Sequence, residues 1–98
     1  MKNFNERCYA ILRKVPKGKV TTYKEIARAL HTKAYRAVGN AMNKNPYAPG
    51  VPCHRVIKSN GEIGGFALGP KKKTDLLREE GVKAKDNKID LKKYLFKF

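Results

Sequence analysis

Proline and glycine cut this chain into short pieces, and the cuts limit what it can fold into. Pro16-Lys17-Gly18, Asn45-Pro46, Pro49-Gly50, Asn60-Gly61 and the run Gly64-Gly65-Phe66-Ala67-Leu68-Gly69 each interrupt regular structure, since proline lacks a backbone donor and glycine favours turns. Room remains for short helices and one small hairpin. Phe4, Cys8, Ile11, Leu12 and Val15 recur at helical spacing behind Asn3 and Glu6, which predicts a capped amphipathic helix over about residues 4–14. Cys8 falls on its apolar stripe and reads as a small core residue.

Thr22 and Glu25 make a second capping box, ahead of Ile26, Ala27 and Leu30, and predict a helix from Tyr23 to Leu30. His31-Thr32-Lys33 reads as a tight turn. Beyond it, Ala34, Val38, Ala41 and Met42 share one helical face, with Arg36, Asn40 and Asn43 on the other. Two short helices joined by a turn, the second with a polar outer face, suggest a helix-turn-helix whose Arg and Asn suit phosphates and base edges. Val56-Ile57-Lys58 and Glu62-Ile63 flank Asn60-Gly61 as a small hairpin. The glycine-rich run lacks P-loop spacing, and its glycines suit a close approach of backbone to a ligand or another segment. Pro70 and Gly81 bracket a final helix of about 70–80, with Lys73, Leu77 and Glu80 on one side. Ile89, Leu91, Tyr94, Leu95, Phe96 and Phe98 suggest that the lysine-rich tail docks on the rest. The expected fold is mostly α with a small β-hairpin, a winged-helix-like helix-turn-helix in one domain over residues 1–98.

Twenty-three Lys and Arg against eight Asp and Glu give a formal charge of +15 in 98 residues. Such a surplus is the electrostatic footprint of a polyanion binder, with nucleic acid as the leading partner. A lysine-rich proteome in which many proteins are basic is the competing explanation. Cys8 and Cys53 make a poor disulfide framework, so both thiols are expected to be free in a reducing compartment. No apolar run approaches signal-peptide or membrane-spanning length, and a soluble, cytoplasmic monomer without membrane contact is expected.

Pro52-Cys53-His54-Arg55-Val56 is the stretch with chemistry in it. A thiolate is the nucleophilic form of cysteine, and a base or positive charge nearby promotes it. A buried cysteine next to a surface histidine is the competing reading of the pair alone.

Taken in order, Tyr23, Arg36-Ala37-Val38-Gly39-Asn40-Ala41-Met42, Asn45-Pro46, Pro52 to Val56, a Gly-Gly-aromatic loop and Glu80-Gly81 resemble the C-terminal, active-site domain of O6-alkylguanine-DNA alkyltransferases over about residues 4–82. The resemblance implies a single-use repair protein, also described as a methylated-DNA–protein-cysteine methyltransferase, that moves an alkyl group from O6 of guanine in double-stranded DNA onto its own cysteine. It implies Cys53 as acceptor, His54 as base through a water because side chains of adjacent extended residues diverge, and Glu80 as the carboxylate orienting His54. Tyr23 matches the phenol that serves the departing guanine, and Lys73 a lysine placed nearby. Arg36 matches a finger filling the space left by a flipped base, with Ala37, Gly39, Asn40 and Asn43 along the DNA-facing helix in the minor groove. Asn45 resembles a hinge to the active-site strand. Backbone groups of Cys53 and Val56, and the ring of Phe66, would meet the base. No cofactor is implied, and no metal is carried over, because the zinc of some members belongs to an N-terminal domain absent from this sequence. Phe66 replaces a frequent tyrosine and Ala67 a serine of some members, which removes hydroxyl hydrogen bonds. Alkyltransferase-like proteins, which bind lesions without repairing them, typically lack the cysteine. A non-catalytic lesion-binding module is therefore the alternative function, and Cys53 argues for transfer.

Overall fold

The computed structural model describes residues 3–47, 50–64 and 69–98. Its first helix, α1 (Phe4–Leu12), starts as the sequence requires, with the Glu6 N–H donating to Asn3 Oδ1 at 2.9 Å. It ends at Leu12, two residues earlier than the periodicity suggests, because the chain tightens there into a turn that carries Val15 into the core. Helix α2 (Tyr23–Ala29) is capped by Thr22 Oγ1, which accepts from the Glu25 N–H at 3.1 Å. His31 adopts a left-handed conformation (φ 57°) in the turn that leads to α3 (Tyr35–Asn43). The two helices and the turn thus form as a helix-turn-helix pair, packed on α1.

Cys8, Leu12, Ile26, Ala27, Val38 and Ala41 meet in the core between these three helices with no exposure at all. Burying a side chain of Leu or Ile size stabilises by about 1.5–3 kcal/mol. Cys8 is confirmed as packing, and both cysteines are free thiols. Tyr9 is buried among them and donates its hydroxyl proton to the Ala41 carbonyl at 2.8 Å, which ties α1 to α3.

The small sheet corrects the expected hairpin. Strand β1 (Thr21–Thr22) pairs with β2 (Val56–Ile57), and the pairing is parallel. The Asn60-Gly61 turn does form, with the Gly61 N–H donating to Lys58 O and the Lys58 N–H to Glu62 O, both at 2.9 Å. Its outgoing arm then leaves for the tail, where Glu62 bridges to Lys88 and the Ile63 N–H donates to Asn87 O. Val56 and Ile57 are wholly buried, and an isolated two-residue arm cannot cover them. Covering falls to β1 and to a second cluster of Val20, Ile63, Leu77, Val82 and Ile89.

Helix α4 (Pro70–Glu79) lies against a 3₁₀ turn, Cys53–Arg55. The tail docks through α5 (Leu91–Tyr94) and an extended end. Val20 N–H donates to Tyr94 O at 2.9 Å and the Phe96 N–H to Val20 O at 2.7 Å, while Phe96 packs on the first cluster and Leu91 and Tyr94 on the second. Among the described residues no helix is long and apolar enough to cross a membrane.

Candidate active site

Cys53 opens the 3₁₀ turn, is 3% exposed, and donates its N–H to Val51 O at 2.8 Å. Asn45, just past the end of α3, braces the approach to it. Its Nδ2 donates to Val51 O and its Oδ1 accepts from the Tyr47 N–H, both at 2.9 Å. Burial raises the thiol pKa above its ordinary value, against a hydrogen bond from Asn45 and the positive charge of Lys73. The resting group is therefore a thiol that needs a base to act as a nucleophile.

A base lies next in the chain. His54 is 2% exposed, which excludes the surface histidine of the competing reading, and burial holds its imidazole below the ordinary 6.5 despite the hydrogen bond and charge of Glu80. It is thus neutral near pH 7 and able to take a proton. His54 Nε2 stands 3.1 Å from Glu80 Oε2. Cys53 and His54 are not adjacent extended residues as expected, since both sit in the 3₁₀ turn, where successive side chains are set about 120° apart by the three residues per turn.

Arg55 is the residue that sequence reasoning missed. Its Nε donates to Glu80 Oε1 at 2.8 Å, one terminal nitrogen to Glu80 Oε2 at 2.5 Å, and the other to Val15 O at 2.9 Å. A forked guanidinium facing both oxygens of a carboxylate fixes its plane as well as its charge. Burial would raise the Glu80 pKa, but the hydrogen bonds and charges of Arg55 and His54 together hold it below the usual carboxylate range. The only clue in the sequence was an arginine beside the Cys-His pair and the Glu79-Glu80 pair about one helix further on.

Lys73, a surface residue on any composition argument, is fully buried. Its Nζ donates to Val56 O at 2.5 Å and to Ile63 O at 2.6 Å. Burial lowers its pKa from 10.5 to about 8, opposed by the nearby Cys53 and helped by Lys58. Val56 gives its N–H to Cys53 O, so a base edge reaching these backbone groups would use the second lone pairs of the carbonyls. Tyr23 is half-buried against the first cluster, and burial first, then Cys53, raises its phenol pKa. A Cβ on Gly64 would come within 4.0 Å of its hydroxyl, which puts the phenol at the mouth of the glycine-rich loop. Phe66 and Ala67 lie outside the described residues.

Along α3 the polar residues Arg36, Asn40 and Asn43 are exposed, with Ala37 and Gly39 half-buried between them. A Cβ on Gly39 would meet nothing within 4 Å, so the fold itself does not demand glycine there. Tyr35, 47% exposed, lines an open cleft of about 440 Å³ with Tyr23, Lys24, Lys58 and Ser59. This cleft joins the helix pair to the Tyr23 side of the site. Cys53, His54, Glu80, Lys73, Tyr23 and Asn45 gather around one turn, whereas the α3 residues form a separate outer face connected to it through Asn45.

Residues 3–82 match the family model described as 6-O-methylguanine DNA methyltransferase, DNA binding domain. The chain belongs to that family. A methylated-DNA–protein-cysteine methyltransferase of Saccharolobus islandicus is 57% identical over 70 residues, 71% of this chain and 45% of that protein. The chain thus spans less than half the length of this relative. O6-methylguanine-DNA methyltransferase from the hyperthermophilic archaeon Pyrococcus kodakaraensis superposes with a TM-score of 0.76 and 44% identity, over 84% of this chain and 48% of that one. S. pombe Atl1, crystallised with damaged DNA containing O6-carboxymethylguanine, superposes with a TM-score of 0.86 and 34% identity over all of both chains. The mostly helical fold of this chain, with its one two-stranded sheet, is consistent with a helical alkyltransferase domain, and the relatives place it among DNA-repair and lesion-binding proteins.

Proposed function

We propose that residues 1–98 form one DNA-binding and alkyl-transfer unit, equivalent to the C-terminal active-site half of the longer relatives. It takes an alkyl group from O6-alkylguanine in double-stranded DNA onto Cys53, once per molecule. The observation that carries this reading is the buried Cys53 thiol followed by a neutral His54 whose ring is oriented by Glu80.

In this reading the thiol proton passes to His54 through a water, and Glu80 stabilises the imidazolium that forms. The sulfur attacks the alkyl carbon in line, the carbon–oxygen bond breaks, and its electron pair leaves with guanine. Tyr23 supplies the proton that the guanine needs, while the Lys73 charge favours both the thiolate and the developing anion. The proton held on His54 returns through water to the Tyr23 phenolate, the products are a thioether on Cys53 and normal guanine, and the protein is consumed. Backbone of Cys53 and Val56 and the Phe66 ring receive the base, and no cofactor enters.

The alkylated carbon is inaccessible in a stacked duplex, so the nucleotide must be extruded. Arg36 fills its place from the minor groove, Asn40 and Asn43 hold backbone, and Ala37 and Gly39 allow close approach. Asn45 relays the helix position to the cysteine turn. A second reading, lesion binding without transfer, is favoured by the full-length superposition on Atl1. Mass spectrometry after mixing with an excess of duplex carrying O6-methylguanine separates them. Transfer adds one methylene mass to the Cys53 peptide and stops there; an unchanged mass with tight binding would establish the second reading instead.

A further inference from the structure

The outer face of α3 carries one formal charge, Arg36, in a chain with a net +15. Most of the charge that would hold a DNA backbone must lie off that helix. One place for it is built with care. The tail leaves α4, and at Lys85-Asp86-Asn87-Lys88 it folds into a tight turn with Asp86 and Asn87 at φ 52° and 63°. Lys85 N–H donates to Lys88 O at 2.9 Å and the Lys88 N–H to Lys85 O at 3.0 Å. This pattern is a two-residue hairpin whose tip twists like the strands beside it.

The tail hairpin is fastened edge to edge to the Asn60-Gly61 turn. Ile89 N–H donates to Gly61 O at 2.8 Å, the Ile63 N–H donates to Asn87 O at 3.2 Å, and Ile89 is buried beneath. Gly61 combines φ 93° with an approach so close that a Cβ would stand 2.9 Å from Ile89 O, so only glycine admits the tail here. Residues 83–88 all remain exposed, and they carry three lysines and one aspartate. On the other side of the Asn60-Gly61 turn, Lys58 and Ser59 line the same cleft as Lys24 and Tyr35 of the helix pair. Lys58 is partly offset by Glu62 at 3.7 Å, so the local surplus lies in residues 83–88, where Lys83, Lys85 and Lys88 outweigh Asp86.

We propose that these two fastened turns form a wing, and that Lys83, Lys85 and Lys88 on it bind DNA phosphates beside the duplex segment engaged by α3. Of the two turns, the tail turn at 85–88 lies beyond the residues that the family model matches, whereas the Asn60-Gly61 turn lies within them. The inference rests on the DNA-repair reading above, and it adds a second contact to it.

The test compares the parent with K83Q/K85Q/K88Q, with the charge-keeping K83R/K85R/K88R, and with a control, K14Q/K17Q/K97Q, that removes equal charge elsewhere. Affinity for an undamaged duplex of about two turns is measured from about 50 to about 200 mM salt, where each phosphate contact adds roughly 0.9 to the slope of log affinity against log salt. The wing variant should lose about 2 to 3 from that slope and bind at least about tenfold more weakly at the lowest salt; the arginine variant should keep the slope. A slope unchanged in the wing variant, or lowered equally in the control, overturns the wing. Methyl transfer to the parent's Cys53 is recorded alongside. A parent that binds duplex and is alkylated confines any such failure to the wing, whereas a parent that does neither overturns the wing and the repair reading together.

Discussion

Around Cys53 each polar side chain is held from several directions: Glu80 by Arg55 and His54, Lys73 by two carbonyls, Asn45 by Val51 and Tyr47. Along α3, Arg36, Asn40 and Asn43 stand in solvent, and Gly39 has open space where a methyl group would go. The first region is one the fold must satisfy in order to exist, because a buried polar group left without partners costs about 1–3 kcal/mol or more. The second is chosen from residues the fold could replace without penalty. Substitutions should therefore disturb chemistry and stability together in the first region, and recognition without stability in the second.

Cys53→Ser is the largest expected effect, since it removes the proposed acceptor: no alkyl mass should be gained from duplex or free base, while DNA binding persists. Alkylation found on Cys8 instead would contradict the division, because that thiol is fully enclosed in the core between the first three helices. Arg36→Ala should slow transfer from duplex DNA by on the order of a hundredfold or more, given that an extruded base costs a few kcal/mol. Free O6-benzylguanine, where the protein accepts it, should react at nearly the parent rate, and the melting temperature should barely move. Equal losses on both substrates would mean that Arg36 supports the cysteine turn.

Glu80→Gln should slow both substrates alike, by on the order of tenfold to a hundredfold. Glu80 raises the His54 pKa against burial, so removing its charge lowers that pKa further. The fall in rate on acidification should then begin at lower pH in the variant than in the parent. A pH profile that keeps its position would leave Glu80 with a packing role only. The variant should also melt earlier, because Arg55 loses half of a charged pair that is largely buried.

Lys73 offers a test of stability alone. Its folded pKa, about 8, lies below the ordinary 10.5, so between those values the unfolded chain binds more protons and stability rises with pH. Tyr23, Tyr9, Cys8 and Cys53 are shifted upward and act in the opposite sense as pH rises through 9 and 10. The difference between the parent and Lys73→Met isolates the lysine: it should change by up to roughly 3 kcal/mol in the parent's favour from pH 8 to 10.5. Denaturant melts at a series of pH values measure it, and a flat difference would mean that the two carbonyls hold the proton on Lys73 throughout. The smallest effect is expected of Gly39→Ala. It should stabilise the helix by about 0.5–1 kcal/mol while weakening duplex binding. A gain in stability with unchanged affinity would remove Gly39 from the DNA-facing surface.

The helix ends were legible because the interactions that set them span three residues. Asn3 with Glu6 and Thr22 with Glu25 both appear as capping hydrogen bonds. The apolar stripe that buries Cys8 follows from the same local geometry. The pairing of Thr21–Thr22 with Val56–Ile57 was not legible, since two short β-prone segments so far apart carry no mark of their partnership. The adjacent turn, with its Asn60-Gly61 signal, pointed to the nearer partner instead.

The candidate site divides along the same line. Cys53, His54 and Arg55 lie together in the sequence, and capping and periodicity alone put Lys73 and Glu80 on one side of the last helix. Which group touches which was decided in three dimensions: Arg55 reaches Glu80 across 25 positions and Lys73 reaches Val56 across 17. A contact within one turn is set by backbone geometry that each residue brings with it. A buried lysine or a forked arginine exists only once the packed helices have removed the water that would otherwise surround it, so those choices belong to the tertiary structure.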